Sequence, residues 1–460
     1  MAEQGKTELK LPELKMPDPK EMADLCSHIA EKSQVIVKEF LNRQKNDGAF
    51  DMQDQMSLGK SFMELTQKML ADPAKLAQAQ ANLWQNYLEL WQKALPAMFG
   101  GQPLEAVVRE PKGDKRFKHD DWKDNVLFSY IKQSYLMAAN WIQDIVADVE
   151  GLDDQTKKKV QFYTRQFVDA VSPSNFALTN PEVLRTTIES GGQNLINGLK
   201  NMLDDLERGK GKLNIRMTDL NAFELGKNIA ITPGKVIFQN GMIQLIQYDP
   251  STPEVHKKPF LIFPPWINKF YIMDLRPKNS FVKWIVDQGF TVFLMSWINP
   301  DEKMADWEFE TYLRDGPLVA LDAIEQATGE SEVNALGYCL GGTLLAITNA
   351  YLAAKGTPRI SSGTYLTTMV DFSQPGELGV FVDEETIASL EKRMAAKGYM
   401  EGSEMASTFS MLRANDLMWS FFINNYLLGK DPFPFDLLYW NSDSTRMPVK
   451  MHSFYLRNFY

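Results

Sequence analysis

The chain has 460 residues, 44% of them apolar and 23% charged, with a net charge of −10. That is the profile of a soluble globular protein with room for two or three domains, and a surplus of acid argues against nucleic acid as a partner. Cys26 and Cys339 are the only cysteines and lie far apart, so no disulfide framework is expected.

The N-terminus, MAEQGKTELKLPELK, lacks a secretory h-region, and no run approaches the ~20 apolar residues of a membrane span. A soluble protein of the reducing cytoplasm is therefore expected. Residues 1–20 are polar, with scattered Lys and Pro, and read as a disordered tail. Residues 21–110 read as a helical N-terminal region. Within it Leu76, Leu83, Trp84, Tyr87, Leu88, Trp91 and Leu95 fall mostly at three- and four-residue steps. Packed core is the expectation for that stripe; an adhesive surface for an apolar particle or partner helix is the other reading.

Gly100 to Pro103 and Pro111 to Asp114 loosen the chain before a second helical domain over 111–230, which includes Phe128 to Val146 and a turn over Val171 to Asn175. Strands dominate from 231 to 370. Val236–Phe238 and Met242–Tyr248 flank an Asn-Gly pair, a hairpin signal. Phe260–Phe263, Thr291–Ser296, Val333–Tyr338 and Thr364–Val370 read as further strands, with helices over Phe281–Asp287, Leu318–Ala327 and Thr343–Ala354. This alternation predicts an α/β fold, a mostly parallel sheet of the α/β-hydrolase type. Residues 371–460 are aromatic-rich and read as a cap region in which the core is not resumed.

Gly337-Tyr338-Cys339-Leu340-Gly341-Gly342 has the spacing of a nucleophile elbow, with cysteine in the place of serine. Glycines on both flanks suit a tight strand–turn–helix, and the positive end of the following helix favours a thiolate. The Leu340 amide is one oxyanion-hole candidate; the other comes from Trp266-Ile267, with Ile267 the residue chosen. A triad would need an acid and then a histidine after Cys339. Only His452 follows, and it reads as a packing or surface residue of the cap; His28, His119 and His256 precede the elbow. No metal site and no nucleotide-binding glycine motif are apparent.

The block from Phe263 to Leu275, FPPWINKFYIMDL, strongly resembles the PPxINKYYILDL signature of polyhydroxyalkanoate synthases, and the elbow resembles their G-[FY]-C-x-G-G box. Leu294–Pro300, Thr367–Phe372, Phe435–Asn441, Ser172–Phe176 and Asn180–Glu182 also match. The resemblance runs from about 115 to Tyr460, and the length of the N-terminal region points to the single-subunit class I. It implies acylation of Cys339 by an (R)-3-hydroxyacyl-CoA, release of CoA, and growth of a polyester that separates as a cytoplasmic granule. CoA is then part of the substrate, and no cofactor is implied. Implied partners are the granule surface, granule-associated proteins, and a second copy joined through the cap.

In that family the triad Asp and His lie on later strands and loops, so the resemblance implies a C-terminally truncated, catalytically incomplete synthase. Asp371, Asp436 and Asp443 match family positions as cap or core residues. Missing last strands would leave an exposed apolar sheet edge and a tendency to aggregate. Two alternatives stand beside this reading: an inactive granule-binding or dimerising fragment, and a cysteine-dependent esterase.

Overall fold

A computed structural model describes residues 51–100 and 103–460; the expected tail at 1–20, the first part of the 21–110 region, Cys26 and His28 lie outside the described residues. The chain forms two compact units, one built from the segment ending at Arg216 together with Arg413–Pro432, the other from Met217–Leu412 and Phe433–Tyr460. These divisions fall elsewhere than the expected segment boundaries near 110, 230 and 370. Within the expected cap, Arg413–Pro432 packs with helices far upstream.

The helical unit contains α1 (Asp51–Ala71), α2 (Pro73–Gly100), α3 (Val126–Asp148), α4 (Asp154–Ala170), α5 (Pro181–Glu189) and α6 (Gln193–Arg208). Side chains supply the N-terminal caps: Asn125 accepts from the Leu127 and Phe128 amides, Asp153 from Gln155 and Thr156, and Asn180 from Glu182 and Val183. The inward stripe of α2 is Leu90, Ala94 and Ala97, packed with Met137 of α3. Trp84, Leu88 and Trp91 face outward and are 59%, 57% and 54% exposed, which corrects the expectation of a tryptophan core. Both stripes have helical spacing, but at about 100° per residue the tryptophan stripe sits one residue, and one face, away from the buried one.

The second unit is built on strands β1 (Gly234–Gln239), β2 (Ile243–Tyr248), β3 (Phe260–Phe263), β4 (Val292–Trp297), β5 (Val333–Tyr338) and β6 (Ile360–Leu366). Their spatial order is β1-β2-β4-β3-β5-β6. β1 and β2 form the antiparallel hairpin, β2 runs antiparallel to β4, and β4-β3-β5-β6 are parallel. This is the α/β-hydrolase sheet. The Asn240 side chain closes the hairpin by accepting from the Met242 and Ile243 amides, both at 2.8 Å.

The central strands are buried on both faces, and alternation sorts their side chains. Leu261, Phe263, Phe293, Met295 and Ala335 join one core with Leu321 and Ile324 of α8 (Val319–Thr328) and Leu344 and Leu345 of α9 (Leu340–Ala354). Ile262, Leu294 and Leu336 point the other way, onto Val282 and Ile285 of α7 (Phe281–Asp287).

Two strand expectations change. The strand expected at Thr364–Val370 is β6, which starts at Ile360 and ends at Leu366, where Thr367 turns to φ 48°. Its Ser-Ser-Gly-Thr core looks like loop sequence because β6 lies at the sheet edge and is largely exposed. That edge carries Ser361, Ser362, Gly363 and Thr364, so the exposed strand is mostly polar where an apolar edge was expected.

Beyond β6, the part of 371–460 that stays with the sheet includes α10 (Glu384–Ala395), α11 (Gly402–Leu412), α12 (Asp436–Ser442) and α13 (Val449–Asn458). Met394, Met400, Met447, Met451 and Tyr455 enter the same core as α9.

Candidate active site

β5 ends at Tyr338 and α9 begins at Leu340, so Cys339 alone makes the turn. It holds φ 53° and ψ −125°, a conformation L-residues keep only when their surroundings enforce it. The Cys339 amide donates to the Leu366 carbonyl at 2.9 Å, and its carbonyl accepts from the Gly342 amide at 2.9 Å. Glycines let the neighbouring backbones close around it. A Cβ on Gly337 would lie 2.2 Å from Gly342 Cα, one on Gly341 1.9 Å from the Phe263 carbonyl oxygen, and one on Gly342 1.9 Å from the Thr368 hydroxyl oxygen. The elbow is wedged between the end of β3 and the segment after β6.

Contact of Gly341 with Phe263 and Pro264 sets the Pro264–Ile267 loop directly against the elbow. That loop is pinned by its carbonyls. Trp297 Nε1 donates to the Pro264 oxygen at 3.0 Å, Trp440 Nε1 donates to the Lys269 oxygen at 2.9 Å, and the Thr445 hydroxyl donates to the Ile267 oxygen. Trp266 and Ile267 are buried. On the other side of the turn Leu340 follows Cys339 directly, and its backbone amide favours the charged form of the sulfur. Loop and elbow, both named as oxyanion-hole contributors, are thus brought together at the carboxyl end of the sheet, where open α/β sheets bind ligands.

The thiol itself departs from expectation. Burial pushes it above its ordinary range, and the Leu340 amide only partly opposes this. Desolvation of a thiolate works against what the helix N-terminus offers.

The other titratable candidates lie elsewhere. His452, on α13, is buried; its Nδ1 has no hydrogen-bond partner, and the charges it feels are those of Arg393 and Glu391 on α10. Burial brings it down to about 4, so it is neutral. His256 packs against Phe290 in a tilted pair with ring centroids 4.6 Å apart, and His119 belongs to the helical unit. Asp436 accepts from Arg276 at 3.0 Å and Asn279 at 2.8 Å, Asp443 accepts from the Tyr271 hydroxyl at 2.8 Å, and Asp371 caps the Ser373 amide. All three do structural work. Among the described residues no group of three or more His, Cys, Asp or Glu side chains is gathered as a metal site.

Residues 113–285 match the family model described as the N-terminus of poly-beta-hydroxybutyrate polymerase (PhaC). Over 401 residues the chain is 54% identical to a poly(3-hydroxyalkanoate) polymerase of Methylorubrum extorquens, covering 87% of this chain and 66% of that one. With the corresponding polymerase subunit PhaC of Cupriavidus necator it shares 42% identity over 84% of this chain and 65% of the relative. The chain belongs to the polyhydroxyalkanoate synthase family. It spans just under two thirds of the length of these curated relatives. Among solved structures, an esterase from Rhizomucor miehei is similar at 15% identity over 54% of this chain and 62% of that one, with a TM-score of 0.25; the fold assignment rests on the strand order instead.

Within this polyhydroxyalkanoate synthase-family chain, the Pro-Pro-Trp-Ile-Asn-Lys block is the loop that begins against Gly341 of the elbow. Sequence reading did not find the residues that cover the site. Tyr455, Phe459 and Tyr460 reach it from the C-terminal segment and pack around Trp266 and Phe372. The aromatic density of 371–460 was the available signal, but spacing alone does not say which rings meet the elbow.

Proposed function

We propose that the chain transfers the acyl group of an (R)-3-hydroxyacyl-CoA, 3-hydroxybutyryl-CoA foremost, onto Cys339 as the covalent step of polyester synthesis. The observation that carries this reading is the left-handed elbow at Cys339 set against the pinned Pro264–Ile267 loop.

In this reading the sulfur, having lost its proton, attacks the thioester carbonyl. The Leu340 and Ile267 amides meet the oxyanion. The bond to the CoA sulfur then breaks, and CoA leaves and takes up a proton. One thioester replaces another, so the acyl group stays activated. Extension follows when the 3-hydroxyl of another bound 3-hydroxyacyl-CoA attacks that thioester: an ester forms, the acyl bond to the Cys339 sulfur breaks, the released sulfur takes up the hydroxyl proton, and the lengthened acyl-CoA can acylate Cys339 again. CoA is substrate and product, and the scheme calls on no metal or bound cofactor. The growing polyester is apolar, which places the work at the surface of a cytoplasmic granule; pairing of two copies through the cap fits the same scheme. Among the described residues no helix is long and apolar enough to cross a membrane.

Among the described residues no hydrogen bond joins a histidine to Cys339, and the hydroxyl that attacks in extension must release a far less acidic proton than the thiol does, so acylation should outrun extension. Incubation with (R)-3-hydroxybutyryl-CoA should give a rapid release of about one CoA per chain followed by slow turnover, as a covalent intermediate accumulates. Acyl-Cys339 or insoluble polymer supports the proposal, and Cys339→Ala should abolish both. CoA release with stoichiometric free hydroxy acid would indicate an esterase, and no release at all an inert fragment.

A further inference from the structure

Cys339 packs against a core whose aromatic members include two phenols of the C-terminal segment. Tyr455 lies on α13 and Tyr460 just beyond it. The Tyr455 hydroxyl donates to the Tyr460 hydroxyl at 3.1 Å, and the two rings meet edge to face with centroids 5.0 Å apart. Tyr455 is held edge-on to Trp266 at 6.1 Å, and Tyr460 edge-on to Phe372 at 5.0 Å. Phe459 stacks on Phe372 at 5.4 Å and completes the wall. Cys339, Phe459 and Tyr460 pack against the same core that contains Trp266 and Tyr455.

The charge of Cys339 is felt by Tyr338, Tyr455 and Tyr460, and in each it favours the protonated phenol. Tyr338 packs on the opposite face of the sheet, against the core that includes Ile262 and Leu336. That leaves the two cap tyrosines on the enclosure side. Burial keeps both phenols above their ordinary range, so both remain protonated donors at neutral pH.

The direction of the hydrogen bond matters. Tyr455 spends its proton on Tyr460, which leaves the Tyr460 proton for a third partner. The enclosing side chains, Trp266, Phe372 and Phe459, offer no oxygen acceptor, and the sulfur is the acceptor that appears when the thiol ionises. A buried thiolate without donors is costly, and a charge-assisted hydrogen bond offsets much of that cost.

We propose that Tyr460, oriented by Tyr455, donates a hydrogen bond to the Cys339 thiolate from the cap side while the Leu340 amide donates from the elbow side. No proton changes hands in this contact. Tyr460 keeps its hydrogen, and the thiol proton goes to solvent. Tyr460 and Tyr455 are positioning residues for the nucleophile, and the inference rests on Cys339 being that nucleophile.

The test follows iodoacetamide alkylation of Cys339 against pH in the 460-residue chain, read on the peptide that carries Cys339 so that Cys26 does not contribute. The midpoint of the profile reports ionisation, and its plateau reports access. Tyr460→Phe should raise the midpoint by about one unit or more, making alkylation near neutral pH about tenfold slower. Tyr455→Phe, which keeps the ring and its packing, should move the midpoint the same way by less, and it carries the test alone if the Tyr460 variant does not fold. An unchanged midpoint in the folded variants overturns the inference while leaving the nucleophile in place. Absence of Cys339 alkylation in the parent chain at every pH removes the nucleophile itself, and the inference with it.

Discussion

At the residue scale, the elbow was legible because its requirements are local. Gly337, Gly341 and Gly342 are needed where a Cβ would strike backbone or the Thr368 hydroxyl, and those demands leave a fixed string in the sequence. Ionisation was not legible, because it depends on what covers the sulfur, and the covering residues arrive from distant segments. His452 makes the same point. It read as a packing or surface residue, and its near-complete burial gives it a measurable signature. The unfolded imidazole titrates near ~6.5 and the folded one at about 4. Between those values the unfolded chain binds a proton that the folded chain does not. Stability is therefore complete above pH ~6.5 and falls as pH drops toward ~4, by about 2–3 kcal/mol across the window. Arg393 adds to this effect and Glu391 opposes it. Urea unfolding midpoints measured through that range should fall more steeply for the parent than for His452→Gln. Equal slopes would contradict the burial account.

At the element scale, hydrophobic pattern located the strands and helices well wherever both faces are buried. β3, β4 and β5 read as apolar runs because the sheet is covered on both sides. β6 was misplaced because an exposed edge strand needs no apolar residues. In α2 the helix was read correctly but its inward face was not, since Trp84 and Leu83 are equally apolar and only tertiary packing chooses between them. The two faces predict opposite mutational outcomes. Leu90 is fully buried, and Leu90→Ala should cost about 2–4 kcal/mol. Trp84→Ser and Trp91→Ser, on the exposed face, should each change stability by no more than about 0.5 kcal/mol. Denaturant titration of the three variants checks this. A large loss from Trp84→Ser would mean that the outward face is covered.

At the scale of the whole molecule, the chain leaves the sheet unit at Arg413 and returns to it at Phe433. Sequence reading treated 371–460 as one cap because nothing in that stretch announces a change of partner. The anchor is a buried carboxylate far upstream. Asp205, on α6, has no exposed side-chain surface; it accepts from Arg216 Nε at 2.7 Å and from the Tyr426 hydroxyl at 2.7 Å. Backbone closeness reinforces the join, since a Cβ on Gly198 would lie 1.8 Å from the Tyr426 carbonyl oxygen. Asp205→Ala leaves a cation without its buried partner, which should cost about 3–5 kcal/mol and speed tryptic cleavage at Arg413 and Lys430. Unchanged cleavage would show that the segment is held by other contacts. The central claim concerns the sheet unit, where elbow and loop converge on one sulfur, and its most direct measurement is peptide mass mapping after brief exposure to (R)-3-hydroxybutyryl-CoA. The account predicts a hydroxybutyryl group, or a short chain of them, on the peptide bearing Cys339 and its absence in Cys339→Ala; acylation elsewhere, or none on Cys339 while CoA is released, would contradict it.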